Sequence, residues 1–156
     1  MNDVKNPIII DQNYCDQDNP CKEQKSAVQI SNVLFKNIKG TSASEVAIKL
    51  DSSKTRPCQG IKMQAINLVG ENGHQAFMIA WKKAMRISNV FYKNIKGTSA
   101  SEVAVNFDCS RTHPCKGIIM QDIQFVGEEG NSVEASCKNV ELTKIGKNLP
   151  SCSRVN

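Results

Sequence analysis

Ile30 to Gly73 reads ISNVLFKNIKGTSASEVAIKLDSSKTRPCQGIKMQAINLVGENG, and Ile87 to Gly130 reads ISNVFYKNIKGTSASEVAVNFDCSRTHPCKGIIMQDIQFVGEEG. The two stretches are copies at an offset of 57 residues, with about two thirds of their positions identical by the self-similarity that marks repeats. Each copy holds several strand-like runs. Val46-Ala47-Ile48-Lys49-Leu50 is apolar at every other position, and Ile61 to Val69 is a second run ended by Gly70. A simple solenoid repeats about every 20–45 residues with steadily diverged copies. Here the offset is longer and the copies are closer, so the duplicated unit is a block of coils rather than one basic repeat.

Outward from the repeat, the strand signals continue. Pro7-Ile8-Ile9-Ile10 is a short buried strand opened by a proline, Ala27 to Ile38 alternates, breaks and resumes, and Val133 to Leu142 is a last, weaker stretch. Short aliphatic strands separated by Gly, Ser, Thr and Asn turns fit two all-β architectures, an antiparallel sandwich or a parallel β-helix with stacked coils. Two features favour the β-helix. Asn32, Asn37, Asn89 and Asn94 recur beside apolar positions, where stacked Asn at coil corners can hydrogen-bond along a solenoid. The aromatic content is only 5%, which suits a narrow aliphatic core. His74 to Arg86, HQAFMIAWKKAMR, breaks the pattern. Its Ala76, Phe77, Ala80, Trp81 and Ala84 predict one face of a short helix at a junction. The expected organisation is residues 1–73 as the first copy, 74–86 as the junction and 87–156 as the second copy with a C-terminal tail.

The chain of 156 residues is long enough to bury a sizeable core, and no apolar run approaches the ~18 residues of a membrane span. The formal charge is +5. Lys22, Lys25, Lys36, Lys39, Lys49, Lys54 and Arg56 are dispersed, as on an ordinary solvated surface. The functional counterpart is attraction to a polyanion. Nucleic acid fits poorly, because no basic stripe interleaves with aromatics; an acidic polysaccharide fits the charge.

Seven cysteines in so short a chain point to an oxidising compartment. Cys15 and Cys21 flank one short polar loop, Cys109 and Cys115 flank another, and Cys137 and Cys152 are placed to close the tail. Ser52 stands where Cys109 stands in the second copy, so Cys58, the counterpart of Cys115, is left as a free thiol. Zinc is disfavoured, since there is no CxxC pair and only His74 and His113 could assist. No metal or other cofactor is called for. Disulfide chemistry implies secretion, yet Met1 to Pro7 has no basic region followed by an apolar one and is no signal peptide. The expectation is that Met1 is an internal methionine of a longer chain.

Asn6-Pro7-Ile8-Ile9-Ile10-Asp11-Gln12-Asn13-Tyr14-Cys15 closely resembles the NPIIIDQxYC segment of plant polygalacturonases, glycoside hydrolase family 28. NIKGTSASEVAV, DCSRTHPCKGI and SCKNV resemble the C-terminal third of that family. The resemblance covers nearly the whole chain apart from the junction and the extra copy. It implies a right-handed parallel β-helix of the pectin-lyase-like kind, here partial, with secretion to the cell wall or apoplast. It further implies hydrolysis of α-1,4-linked galacturonate in pectin and the pairings Cys15–Cys21, Cys109–Cys115 and Cys137–Cys152. The tyrosine of the motif, a substrate-contact residue in the family, is Tyr14 here.

The family's inverting hydrolysis needs one acid to protonate the leaving oxygen and one base to activate water. It carries these groups in NTD and DD motifs, with GHG and RIK motifs beside them. This chain has no NTD and no DD. Gly73-His74-Gln75 keeps two letters of GHG, and Arg86-Ile87-Ser88 lacks the lysine of RIK. No residue is therefore named catalytic, including Asp11, the carboxylate next to Tyr14. Two functions fit: a polygalacturonase fragment inactive alone, or a noncatalytic β-helical protein that binds pectin through its basic face and Tyr14. A truncated solenoid also exposes the end of its first coil, so end-to-end self-association is expected.

Overall fold

The structure is a computed structural model that describes residues 1–12, 14, 28–44, 46–53, 55–70, 79–81, 87–99 and 102–152. Among the described residues ten strands follow one another: β1 Ile8–Asp11, β2 Leu34–Ser42, β3 Ile48–Asp51, β4 Cys58–Gly70, β5 Ile79–Trp81, β6 Ile87–Ser99, β7 Val103–Asp108, β8 Cys115–Gly127, β9 Glu134–Lys138 and β10 Val140–Leu149. The odd strands make one sheet, in the order β1-β3-β5-β7-β9; the even strands make the other, in the order β10-β8-β6-β4-β2. Every pairing is parallel. A chain that changes sheet at each step and pairs only in parallel is a β-helix, because a sandwich would pair its strands antiparallel.

Parallel register stacks like on like. Ile38, Ile66, Ile95 and Ile123 form one inward column, and Phe35, Met63, Tyr92 and Met120 form another. On the odd sheet, Ile8, Ile48, Ile79, Val105 and Ala135 share a column of backbone partners. The inner rungs are sealed: Ile66, Ile95, Ile123, Met63 and Tyr92 are all buried. Leu34 pairs with Lys62 and Lys62 with Phe91, so equivalent positions of the two copies lie two rungs apart. The duplicated block is therefore two whole coils.

Corners repeat too. Asn37, Ala65, Asn94 and Asp122 all have left-handed backbone, with φ between 52° and 56°. Asn and Asp tolerate that region because their short polar side chains bond locally. Asn32 and Asn89 are also left-handed, at φ 56°. They do not stack on one another. A Cβ at Gly60 would lie 2.6 Å from Asn32 Oδ1, and one at Gly117 equally close to Asn89 Oδ1. Asn and Gly thus alternate along this corner, with the glycine leaving room for the amide below it.

The described part of the segment expected to be helical is a strand. Ile79–Trp81 is strand β5, hydrogen-bonded between β3 and β7. The physical reason is the ladder. Without this rung, facing rows of N–H and C=O groups on β3 and β7 would lack partners, a larger penalty than any gain from an isolated turn of helix. The rest of that expectation, Ala76, Phe77 and Ala84, lies outside the described residues.

The ends are closed differently. In the last rung Asn148 takes the position opposite Ile123, buried, and its Nδ2 donates to the carbonyl of Ile145 at 2.9 Å. At the other end Met1 to Val4 lies along part of β2. Thr41 N–H donates to Met1 O at 3.1 Å, and Val4 bridges Ser42. Along the first half of β2 the inward residues Phe35 and Ile38 are only half-buried, whereas their partners Met63 and Ile66 one rung on are sealed.

Ile95→Ala in an inner rung is expected to cost about 2–5 kcal/mol by lost transfer energy and a residual cavity. Ile38→Ala at the half-open rung should cost clearly less. Urea denaturation of the two variants checks the order.

Candidate functional site

Strand β1 delivers the residues that the motif singled out. Its alternation points Ile8 and Ile10 inward and turns Asp11 the other way, and Tyr14 follows, 70% exposed. Asp11 lies opposite Asp51 on the adjacent rung, about 4.8 Å away by backbone spacing. Neither carboxylate is arranged as half of an acid–base pair. Lys49 Nζ lies 2.6 Å from Asp11 Oδ2, an ion pair that neutralises it. Asp51 is only 4% exposed, so substrate cannot reach it. Inverting hydrolysis needs carboxyl groups about 6.5–9.5 Å apart with room for water between them. A hollow of about 400 Å³ lined by Pro57, Ile87, Ser88, Thr112, His113 and Lys116 contains no carboxylate among the described residues. No group of three His, Cys, Asp or Glu suited to a metal occurs among the described residues either.

Gln12, which the sequence reading passed over, is the residue that ties this corner together. Its Oε1 accepts the N–H of Ser53 at 2.7 Å and the thiol of Cys58 at 3.1 Å. Its Nε2 donates to the carbonyls of Val28 at 2.5 Å and Arg56 at 3.0 Å. Its backbone N–H extends the ladder to Asp51 O at 2.8 Å. One amide therefore fixes the exit of β1, two residues before Tyr14, to the loop after β3. Gln12 lies inside the quoted motif, and that position was the only signal available.

The loop that Gln12 clamps is the damaged clip. In the second copy Cys109 and Cys115 are disulfide-bonded, with Cα atoms 5.8 Å apart. In the first copy Ser52 Oγ accepts the Cys58 N–H at 2.8 Å, so a hydrogen bond takes the place of the covalent link. Cys58 is a free thiol, fully buried. Burial pushes its pKa above the ordinary 9.0, opposed by the hydrogen bond from Ser52 and reinforced by the nearby charge of Asp51. Cys137 and Cys152 are also bonded, fastening the tail to β9. Cys15 and Cys21 lie outside the described residues.

The family model for glycosyl hydrolases family 28 matches residues 1–83 and again 77–152. The two matches overlap at β5, which therefore closes the first copy and opens the second. The chain is 66% identical over 73 residues to polygalacturonase-2 of Solanum lycopersicum, covering 47% of this chain and 16% of the relative. It is 60% identical over 78 residues to a polygalacturonase of Persea americana, covering 50% and 17%. It is 37% identical over 114 residues to a polygalacturonase of Juniperus ashei, covering 73% and 20%. The chain spans a fifth or less of the length of these relatives. No solved structure matches.

Three outcomes follow from the clip. Ser52→Cys is expected to close a second six-residue bridge and add about 2 kcal/mol, visible as a higher Tm without reductant and lost with it. Cys58 should resist iodoacetamide in the native state. Its raised pKa keeps the thiol protonated when folded, so its contribution is complete below pH 9.0 and falls as pH rises beyond it. Melting curves from pH 8 to 10 should therefore show a loss in the wild type that Cys58→Ala lacks.

Proposed function

Because the chain belongs to glycosyl hydrolase family 28, we propose that it is a set of polygalacturonase coils that contacts polygalacturonate but does not cleave it unaided. The observation that carries this reading is the state of Asp11 and Asp51, the two described carboxylates at the β1 end of the odd-stranded sheet. One is neutralised by Lys49 and the other is buried. Among the described residues of this corner there is no free acid and no free base, so neither protonation of the glycosidic oxygen nor activation of water has an agent there. Hydrolysis then requires carboxylates from outside these coils. Tyr14 has the chemistry of a sugar contact, since a phenol stacks on a sugar face and donates one hydrogen bond. The reading places the protein in the plant cell wall, where its disulfides persist. It also includes end-to-end pairing through the open half of β2, which sedimentation would reveal as a dimer.

The rival reading is a noncatalytic pectin-binding protein. It is favoured by the exposure of Tyr14 shortly after the end of β1. Incubation with polygalacturonate separates the two from an active hydrolase: no reducing sugar is expected, and steady release would overturn the proposal. Tyr14→Ala is expected to weaken polygalacturonate binding several-fold, measured by affinity electrophoresis. An unchanged affinity would remove Tyr14 from the contact.

A further inference from the structure

The two sheets differ in charge. The even strands carry Lys36, Lys39, Lys62, Lys93, Lys96, Lys116, Lys144 and Lys147 against only Asp122 and Glu141, a net of +6. The odd strands carry Asp11, Asp51, Asp108 and Glu134 against Lys49 and Lys138, a net of −2. A chain of +5 overall thus holds its whole excess on one sheet. Lys36, Lys39, Lys62, Lys96 and Lys147 are exposed and Lys93 is half-buried. The one ion pair among the described residues, Lys49 with Asp11, is on the other sheet.

Register orders these cations. One outward column runs Lys36, Gln64, Lys93, Gln121; a second runs Lys39, Asn67, Lys96, Gln124. Each alternates an ammonium with an amide. With rungs about 4.8 Å apart, the cations in a column recur at roughly 10 Å. On the second column lies a groove of about 460 Å³ lined by Asn94, Lys96, Asp122, Gln124 and Lys147.

We propose that the outer corner of the even-stranded sheet, where Lys93, Lys96 and Lys147 flank the left-handed residues Asn94 and Asp122, is a second binding surface for an acidic polysaccharide lying across the rungs. The chemistry selects that partner. Ammonium groups pair with carboxylates, and the amides between them bond to hydroxyls, so the columns match a polymer that offers both. Nucleic acid would want stacking surfaces, and of the aromatics on these strands Tyr92 and Phe125 are buried while Phe35 and Phe91 are half-buried. The surface is separate from Tyr14, which follows β1 of the other sheet. It goes beyond the function proposed above, which stands or falls on the carboxylates and on Tyr14.

The test is polygalacturonate binding by the full chain at low and high salt. Lys93→Gln/Lys96→Gln is expected to lower affinity about tenfold at low salt and to flatten its salt dependence. Lys5→Gln/Lys138→Gln, which removes the same charge elsewhere, should change it less than twofold. Lys93→Arg/Lys96→Arg should bind like the wild type, and unchanged melting of all variants shows that they fold. Equal loss in both Gln pairs, or no loss in the first, would overturn the proposal. So would tighter binding of single-stranded DNA than of polygalacturonate. If Tyr14→Ala abolishes binding while Lys93→Gln/Lys96→Gln does not, this surface fails and the Tyr14 contact stands; the opposite pattern supports the surface and removes Tyr14.

Discussion

Parallel register imposes one condition on everything else: each residue must find, about 4.8 Å above and below it, a residue that suits the same position. An inward isoleucine needs an apolar neighbour, a left-handed corner needs the same backbone above and below it, so that even Ala65 takes φ 54° between Asn37 and Asn94, and an outward lysine needs solvent. Insertion of an arbitrary length would break all three at once, because a slip of one residue turns an inward side chain outward. The 57-residue offset avoids this by spanning two rungs, so Phe91 falls in the column of Leu34 and Asn94 in that of Asn37. The extra block is then simply more solenoid, stabilised by the same nearest-rung contacts as the rest.

The seam between the copies follows from the same condition. β5 has to satisfy β3 on one side and β7 on the other. A three-residue strand meets that need whatever its helical propensity, since the backbone groups on both flanks are already aligned. The first copy also shows how a lost cross-link is absorbed. Ser52 is buried, and its hydroxyl faces the Cys58 N–H rather than being left without a partner. Gln12 holds the same loop from outside through Ser53 and Arg56. A hydrogen bond is worth less than a bridge, but it avoids the larger penalty of an unsatisfied buried donor.

Most of the fold could be read in the sequence because its determinants are local and repeated. Alternating Ile61-Lys62-Met63, the corner asparagines and the closely spaced cysteines each report on a few residues of chain. What could not be read depends on partners far away in sequence. Trp81 and Ala80 look helical in isolation and become a strand only because β3 and β7 wait on either side. The stacking of Asn32 on Gly60, rather than on another asparagine, follows from a rung shift of 28 residues that no local pattern reveals. Gln12 looks like an ordinary polar residue after a strand, and its role comes from acceptors and donors at residues 28, 53, 56 and 58. The neutralised state of Asp11 likewise required Lys49 to be placed beside it.

Charge is the sharpest case of this difference. Along the chain the lysines are dispersed, and dispersion ordinarily signals a plain solvated surface. Folding gathers them. Strands of the even sheet put Lys at positions that alternate away from the core, and stacking then aligns Lys36 with Lys93 and Lys39 with Lys96 two rungs on. The odd-stranded sheet carries a net charge of −2, so its strands add no attraction for a polyanion at long range. A sugar contact at Tyr14 therefore depends on stacking and hydrogen bonding at short range, where salt has little effect, whereas the even sheet acts through charge and weakens as ions screen it. The two proposed contacts would ask for different properties of the same polymer, its ring surface on one side and its carboxylates on the other.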